Sequence, residues 1–320
     1  MLKNLFLIVI IALALPVIAQ DDERVPPQDL ADENGKFIEL DGVEFYYIEA
    51  GDPQNPTVML LHGFGGSTVT WNETIPALVD AGYHVIAYDR PPFGLSDKSP
   101  DIDFSPQAMA DQTAALMDAL DIDSATLVGH SSGGGIISYF AVAYPNRVDA
   151  LVYVAGAVSS GDITEEDQDA GDESDSSTPL GNMFSLIQNL DPNDPTSQRL
   201  VARFLTPEQF TNILRSAYHP DFDVPESTII AYQRPLRVEG WEAGLLAYFQ
   251  YRGDNISPLD LQALGSLDTP VALMWGEQDT WVPITRGEWL LENVFPNASW
   301  YSYPDVGHLP MEETVEAFNT

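Results

Sequence analysis

Gly129-His130-Ser131-Ser132-Gly133 is the stretch on which the reading of this chain turns. Ala125 to Val128 before it read as a buried strand, and Gly134 to Tyr144 after it as a helix that opens on small residues. A serine at a strand-to-helix turn, with a glycine two residues away on each side, is the G-x-S-x-G arrangement. The steric logic is simple. So sharp a turn strains the serine backbone and brings strand and helix almost into contact, where Gly129 and Gly133 have no Cβ to collide. The product is a hydroxyl held clear of the backbone, which makes Ser131 the candidate nucleophile. Five loosely defined positions recur by chance, and the same letters suit any tightly packed glycine-rich turn. The surrounding chain has to decide.

Upstream, Val58 to Leu61 is an apolar strand running into His62-Gly63-Phe64-Gly65-Gly66. Glycines there allow backbone N–H groups to converge on one point, as an oxyanion hole requires. Trp71 to Ala81 reads as a helix interrupted at Pro76, with Gly82 at its C′ position. His84 to Tyr88 is the next strand, ending in the stiff loop Asp89-Arg90-Pro91-Pro92-Phe93-Gly94. Ser105 caps a helix whose first residue is Pro106 and which runs to Leu120, with Met109, Thr113, Leu116, Met117 and Leu120 on one face. Val148 to Val154 is again apolar. Strands apolar on both faces, alternating with helices, predict an α/β fold: a mostly parallel sheet flanked by helices on both sides. Phe37 to Leu40 and Glu44 to Glu49, joined at Asp41-Gly42, add a hairpin.

The alternation stops near Ala157. Gly161 to Gly181 is densely acidic, rich in Ser and Gly, and expected to be solvated. Met183 to Leu264 has a helical texture punctuated by seven prolines, so residues 158–265 read as an inserted helical cap with an acidic entry segment. Its aromatic residues, Phe204, Phe210, Tyr232, Trp241 and Tyr248 among them, are expected to form the cap's own core and part of an apolar pocket. Arg252-Gly253-Asp254 reads as a plain turn. Strands return at Val271 to Trp275 and Ser299 to Tyr303, with helices at Thr285 to Glu292 and from Pro310 to Phe318. The core is thus residues 35–157 and 266–320.

A serine hydroxyl needs a base, and the base needs a third group to orient it. Of the five histidines, only His308 lies in a loop after the last strand with a glycine before it. Asp279 lies in the loop after the preceding strand. Asp305 and Glu277 are the rival acids. Asp305, three residues from His308, shares its loop and is poorly placed to face it. His62 is expected to brace the glycine loop, His130 to pack, and His84 and His219 to be structural or exposed. No histidine pair has metal-ligand spacing beside a carboxylate, and there is no cysteine, so neither a metal nor another cofactor is expected.

Taken together, His62-Gly63-Phe64-Gly65, Asp89-Arg90-Pro91-Pro92-Phe93-Gly94-Leu95-Ser96, Gly129 to Gly134, Trp275-Gly276-Glu277-Gln278-Asp279 with Pro283, and Gly307-His308-Leu309-Pro310 with Glu312 resemble the α/β-hydrolases that carry a helical cap. The resemblance implies a triad in which Ser131 attacks a carbonyl, His308 moves the proton and Asp279 fixes the His308 tautomer. It also implies an oxyanion hole formed by the backbone N–H groups of Phe64 and Ser132. The activity it implies is hydrolysis of a small apolar carboxylic ester through an acyl-enzyme. The same triad in capped relatives also serves carbon–carbon bond hydrolases and perhydrolases, and a non-catalytic small-ligand binder would keep the fold.

With 13 Lys and Arg against 49 Asp and Glu, the net charge of −36 disfavours nucleic acid and anionic lipid as partners. Such a surface suits a saline setting. Residues 1–19 combine Lys3, an apolar run from Leu5 to Leu15 and Val17-Ile18-Ala19, which predicts a signal peptide cleaved after Ala19 and a secreted or periplasmic protein without a stable membrane span. Residues 20–34, polar with Pro26-Pro27, read as a flexible leader.

Overall fold

In the computed structural model of the chain, residues 24–158, 190–250 and 258–320 are described. The signal segment, the acidic run Gly161 to Gly181, the start of the cap with Met183 and Phe184, and Arg252-Gly253-Asp254 lie outside them.

Eight strands form one sheet in the order β1-β2-β4-β3-β5-β6-β7-β8. Strands β1 (Gly35–Leu40) and β2 (Val43–Ala50) make the expected hairpin, and Asp41 and Gly42 take the positive φ values, 52° and 84°, that its two-residue turn requires. β2 joins β4 antiparallel. β3 (Thr57–Leu61), β4 (His84–Tyr88), β5 (Ala125–His130), β6 (Val148–Val154), β7 (Val271–Gly276) and β8 (Ser299–Tyr303) are all parallel. The central strands β3, β4 and β5 are buried on both faces. Met59, Leu61, Ile86 and Leu127 join one apolar cluster, while their neighbours Val58, Leu60, Val85 and Val128 join another. That division explains why these strands are apolar without alternation.

Helices α1 (Thr74–Asp80), α2 (Pro106–Ala119) and α3 (Ser132–Ala143) follow β3, β4 and β5. Ser105 caps α2 as its position suggested, its hydroxyl accepting from the Ala108 N–H at 3.1 Å. The stretch Trp71 to Ala81 divides at a different place from the one expected. A 3-10 turn covers Thr68–Trp71, and Pro76 sits inside the first turn of α1, where its missing N–H has no intrahelical acceptor to lose.

Between β6 and β7 come α4 (Pro195–Phe204), α5 (Pro207–Ala217), α6 (Glu226–Gln233), α7 (Trp241–Gln250) and the short α8 (Leu261–Gly265). Two of the prolines here begin helices. Pro195 and Pro207 are first residues behind the capping side chains of Asp194 and Thr206. After β7 and β8 come α9 (Ile284–Asn293), then α10 (Pro310–Glu313) and α11 (Val315–Phe318), which Thr314 separates by leaving the helical region (φ −138°, ψ 55°).

The leader differs from its reading as a flexible segment. Val25 donates to the Arg237 carbonyl at 3.0 Å, Arg24 pairs with Glu242 at 2.7 Å, and Asp32 pairs with Arg234 at 2.8 Å. Arg24 to Asn34 therefore strap the core hairpin to the inserted helices, held by ion pairs that composition alone does not reveal.

Candidate active site

Because β3 to β8 run parallel in near-level register, the loops after them gather at one edge, where open α/β sheets bind ligands. Ser131 sits at that edge with φ 50° and ψ −123°, a backbone strain a non-glycine residue rarely holds. Its N–H donates to the Val154 carbonyl at 3.0 Å, and its own carbonyl accepts from the Gly134 and Ala157 N–H groups at 2.8 Å each. A Cβ on Gly129 would lie 2.6 Å from the Gly133 carbonyl oxygen, so the elbow closes only with glycine there. The glycine loop after β3 passes against the serine: a Cβ on Gly63 would lie 2.8 Å from Ser131 Cβ. Phe64 is the next residue of that loop. Ser132 is the first residue of α3, where the N–H has no acceptor within the helix and the dipole favours negative charge.

His308 projects from the loop between β8 and α10. Its Nδ1 lies 2.7 Å from Asp279 Oδ2, and both side chains are buried. The other carboxylate oxygen accepts from the Trp281 and Val282 N–H groups at 2.8 and 2.9 Å. With Nδ1–H given to Asp279, Nε2 is left as the acceptor. That atom is buried and has no hydrogen-bond partner among the described residues, so the Ser131 hydroxyl is not bonded to it here. Sites of this kind often hold that contact long until substrate arrives. Asp305 and Glu277, the rival acids, are exposed and make no bond to His308.

The other histidines divide by environment. His62 donates from Nδ1 to the Gly63 carbonyl at 2.7 Å and accepts at Nε2 from the Arg90 N–H at 2.9 Å. Complete burial, with Arg90 beside it, pushes its pKa well below the usual value. It is a neutral brace for the glycine loop. His130 does more than pack: its Nε2–H donates to the His308 carbonyl at 2.9 Å, tying the elbow to the base, and burial again holds it neutral. His84 lies at the start of β4 between Thr57 and Glu49, away from this edge, and His219 is half-buried in the inserted segment.

Arg90, in the stiff loop after β4, is fully buried and bridges the two halves of the site. It donates from Nε to the His62 carbonyl at 2.8 Å and from Nη2 to Ser132 Oγ at 3.0 Å. Its one sequence signal is the charged pair Asp89-Arg90 directly after a buried strand. Lys98 is also buried, its Nζ donating to the Phe93, Gly94 and Ser96 carbonyls. Burial pushes it down to about 7, against the pull of Asp89.

A cavity of about 100 Å³ opens over this edge. Its floor includes Gly63, Phe64, His130 and His308, and its walls Leu205, Phe210, Leu214, Tyr232, Trp241 and Leu245 from the inserted segment. Phe64 is packed by aromatic rings on several sides, with Phe93 at 5.3 Å, Phe249 at 5.5 Å and Tyr248 at 6.0 Å between centroids. The assembly thus presents a strained serine, an imidazole with one nitrogen open and the other anchored, a helix N-terminus, and an apolar chamber above them.

Comparison with known proteins agrees with this geometry. An uncharacterized hydrolase of Bacillus subtilis, YugF, is 30% identical over 277 residues, covering 87% of this chain and 92% of its own. The bifunctional esterase/perhydrolase DCH of Acinetobacter calcoaceticus is 26% identical, covering 89% of this chain and 96% of its own. A 2-hydroxy-6-oxononadienedioate/2-hydroxy-6-oxononatrienedioate hydrolase of Comamonas testosteroni is 26% identical, covering 89% of this chain and 93% of its own. Residues 56–315 match the family described as the alpha/beta hydrolase fold. From the glycine loop to the helix beyond His308, then, this chain belongs to the α/β-hydrolase fold family and is a hydrolase.

Proposed function

We propose that this hydrolase cleaves uncharged carboxylic esters with a short apolar acyl group, through an acyl-enzyme on Ser131. The observation that carries the reading is the His308–Asp279 pair, which leaves Nε2 bare and buried while His130, next to the strained serine, holds the His308 carbonyl. Ser131 Oγ bonds to the ester carbonyl carbon as its proton passes to His308 Nε2. The Ser132 and Phe64 backbone N–H groups receive the negative charge on the former carbonyl oxygen. Collapse breaks the bond to the alcohol, which leaves with the proton from His308. Water, deprotonated by the same nitrogen, then releases the acid and restores the serine.

The pocket favours an ester over a carbon–carbon substrate. The dioate named for the Comamonas testosteroni relative carries two carboxylates, which need cations to leave water. Among the described residues lining this cavity the one cation is Lys98, and its three N–H donors are taken by backbone carbonyls. Arg90 is not among the lining residues and is buried against the His62 carbonyl and Ser132. Of the inserted stretches outside the described residues, 159–189 contain no Lys or Arg and 251–257 contain one, Arg252. Size supports the same reading: the cavity, about 100 Å³, is smaller than the roughly 150 Å³ space that takes benzene in an engineered protein core. Residues 1–19 add the reading that the enzyme is exported, checked by whether mature protein begins at Gln20.

A panel of p-nitrophenyl esters from acetate to laurate, run on the wild type and Ser131→Ala, tests this. We expect acetate to butyrate to be preferred, and Ser131→Ala to lose at least about 10⁴-fold in kcat. Hydrogen peroxide added to the wild type shows whether the acyl-enzyme also yields peracid. Ligand-dependent thermal shifts without turnover would replace the enzyme reading with a binding protein.

A further inference from the structure

Behind the pocket lies a buried carboxylate that the hydrolytic steps do not use. Glu312, on α10 four residues beyond His308, accepts at Oε2 from the Tyr218 hydroxyl at 2.6 Å and at Oε1 from the Tyr232 hydroxyl. Tyr218 follows α5, and Tyr232 lies on α6 with its side chain in the pocket wall. Tyr232 also contacts Thr70 Oγ1 at 3.0 Å, in the 3-10 turn that follows the glycine loop. The chain Thr70–Tyr232–Glu312–Tyr218 thus joins three parts of the site: the glycine loop, the inserted helices and the His308 loop.

A second set of bonds runs beside it. Glu313 accepts from the His219 N–H at 2.8 Å and the Gly307 N–H at 3.0 Å, and the His308 N–H donates to the Ala217 carbonyl at 2.7 Å. The end of α5 and the His308 loop therefore touch backbone to backbone: a Cβ on Gly307 would fall 2.6 Å from the His219 nitrogen.

Resting on the ester-hydrolase reading, we propose that Glu312 is a positioning residue: through Tyr232 and Tyr218 it fastens the inserted helices over the pocket and so sets how well the acyl group is held against Ser131. The groups facing it are Tyr218 and Tyr232 from the inserted helices, Glu313 on its own helix and Glu73 at the start of α1. Burial pushes Glu312 up to about 7, the two carboxylates add to this, and the tyrosine hydrogen bonds oppose it. Burial beside Glu312 raises both phenols, so they remain donors. Above its pKa the carboxylate accepts both hydroxyls. Below it, one oxygen carries a proton and one phenol loses its acceptor. The hold on the acyl group weakens as pH falls through about 7.

The test is KM and kcat for p-nitrophenyl butyrate between pH 5.5 and 9 in wild type, Glu312→Gln, Tyr232→Phe and Tyr218→Phe, with Nile red binding measured in parallel. Wild-type KM should rise as pH falls. Glu312→Gln should show a KM raised about tenfold at pH 8, as for loss of a hydrogen bond to a charged acceptor, and no longer dependent on pH. Each Tyr→Phe change removes a donor that favours the carboxylate, so the inflection in KM should move to higher pH. A folded Glu312→Gln with wild-type KM and an unchanged profile overturns the proposal. Should that variant not fold, unmoved inflections in both phenylalanine variants overturn it. Wild-type protein that cleaves no ester, while its Nile red affinity follows pH and loses that dependence in Glu312→Gln, removes the ester reading and keeps this one.

Discussion

At the scale of single residues, the site divides into groups a sequence announces and groups it hides. The strained turn at Ser131 and the pairing of Asp279 with His308 were legible because each residue sits in a loop at a strand's end. His130, Arg90 and Glu312 were not, because their work depends on which distant atom they meet. His130 holds the His308 carbonyl 178 positions away, and Arg90 reaches Ser132 42 positions away. Asp279→Asn tests the orienting role. An amide can donate to His308 Nδ1 and so favour the wrong tautomer; we expect kcat for p-nitrophenyl butyrate to fall on the order of 10³- to 10⁴-fold with the fold intact by circular dichroism. Arg90→Lys tests the bridge. A lysine keeps the charge and loses the fork that spans His62 and Ser132, so we expect kcat to fall about tenfold and stability by about 1–3 kcal/mol in urea unfolding.

At the scale of elements, the strands were read almost to the residue because burial on both faces leaves an unbroken apolar signature. Residues 58–61 and 85–88, apolar and buried throughout, are examples, whereas β6 carries an exposed Asp149. Helix ends were legible wherever a cap was written in the chain, as at Ser105-Pro106. They were less so where tertiary contacts decide. The final helix breaks at Thr314, and the leader is held by Arg24 and Asp32, whose partners lie more than 200 residues on. The elbow's closeness makes a sharp prediction. In Gly129→Ala the new methyl meets the Gly133 carbonyl at 2.6 Å, so strand β5 and helix α3 must separate. We expect a loss of about 1–3 kcal/mol and a displaced Ser131, read as a lower urea midpoint together with slower acylation.

At the scale of the whole molecule, two electrostatic features set how stability responds to conditions. Glu312, raised on folding to about 7 from its ordinary 4.5, binds a proton more tightly in the folded state. Between those values the folded chain holds the proton and the unfolded chain does not, so this group makes stability fall as pH rises, by about 3 kcal/mol in all. Glu312→Gln should therefore melt higher than the wild type at pH 8 and near it at pH 4.5, even as its KM worsens. The second feature is the net charge of −36. Self-repulsion at that charge is relieved by screening, so the melting temperature should rise between 0.05 and 1 M sodium chloride. An unchanged value would remove the saline reading of the surface.

All of this rests on one serine becoming covalently bound to the group it attacks. The direct measurement is treatment of the wild type with a fluorophosphonate, followed by mass mapping of the modified peptide. A single adduct is expected on Ser131, formed in the wild type and lost in Ser131→Ala. Wild-type protein that takes up no label, or equal labelling of the alanine variant, would contradict it.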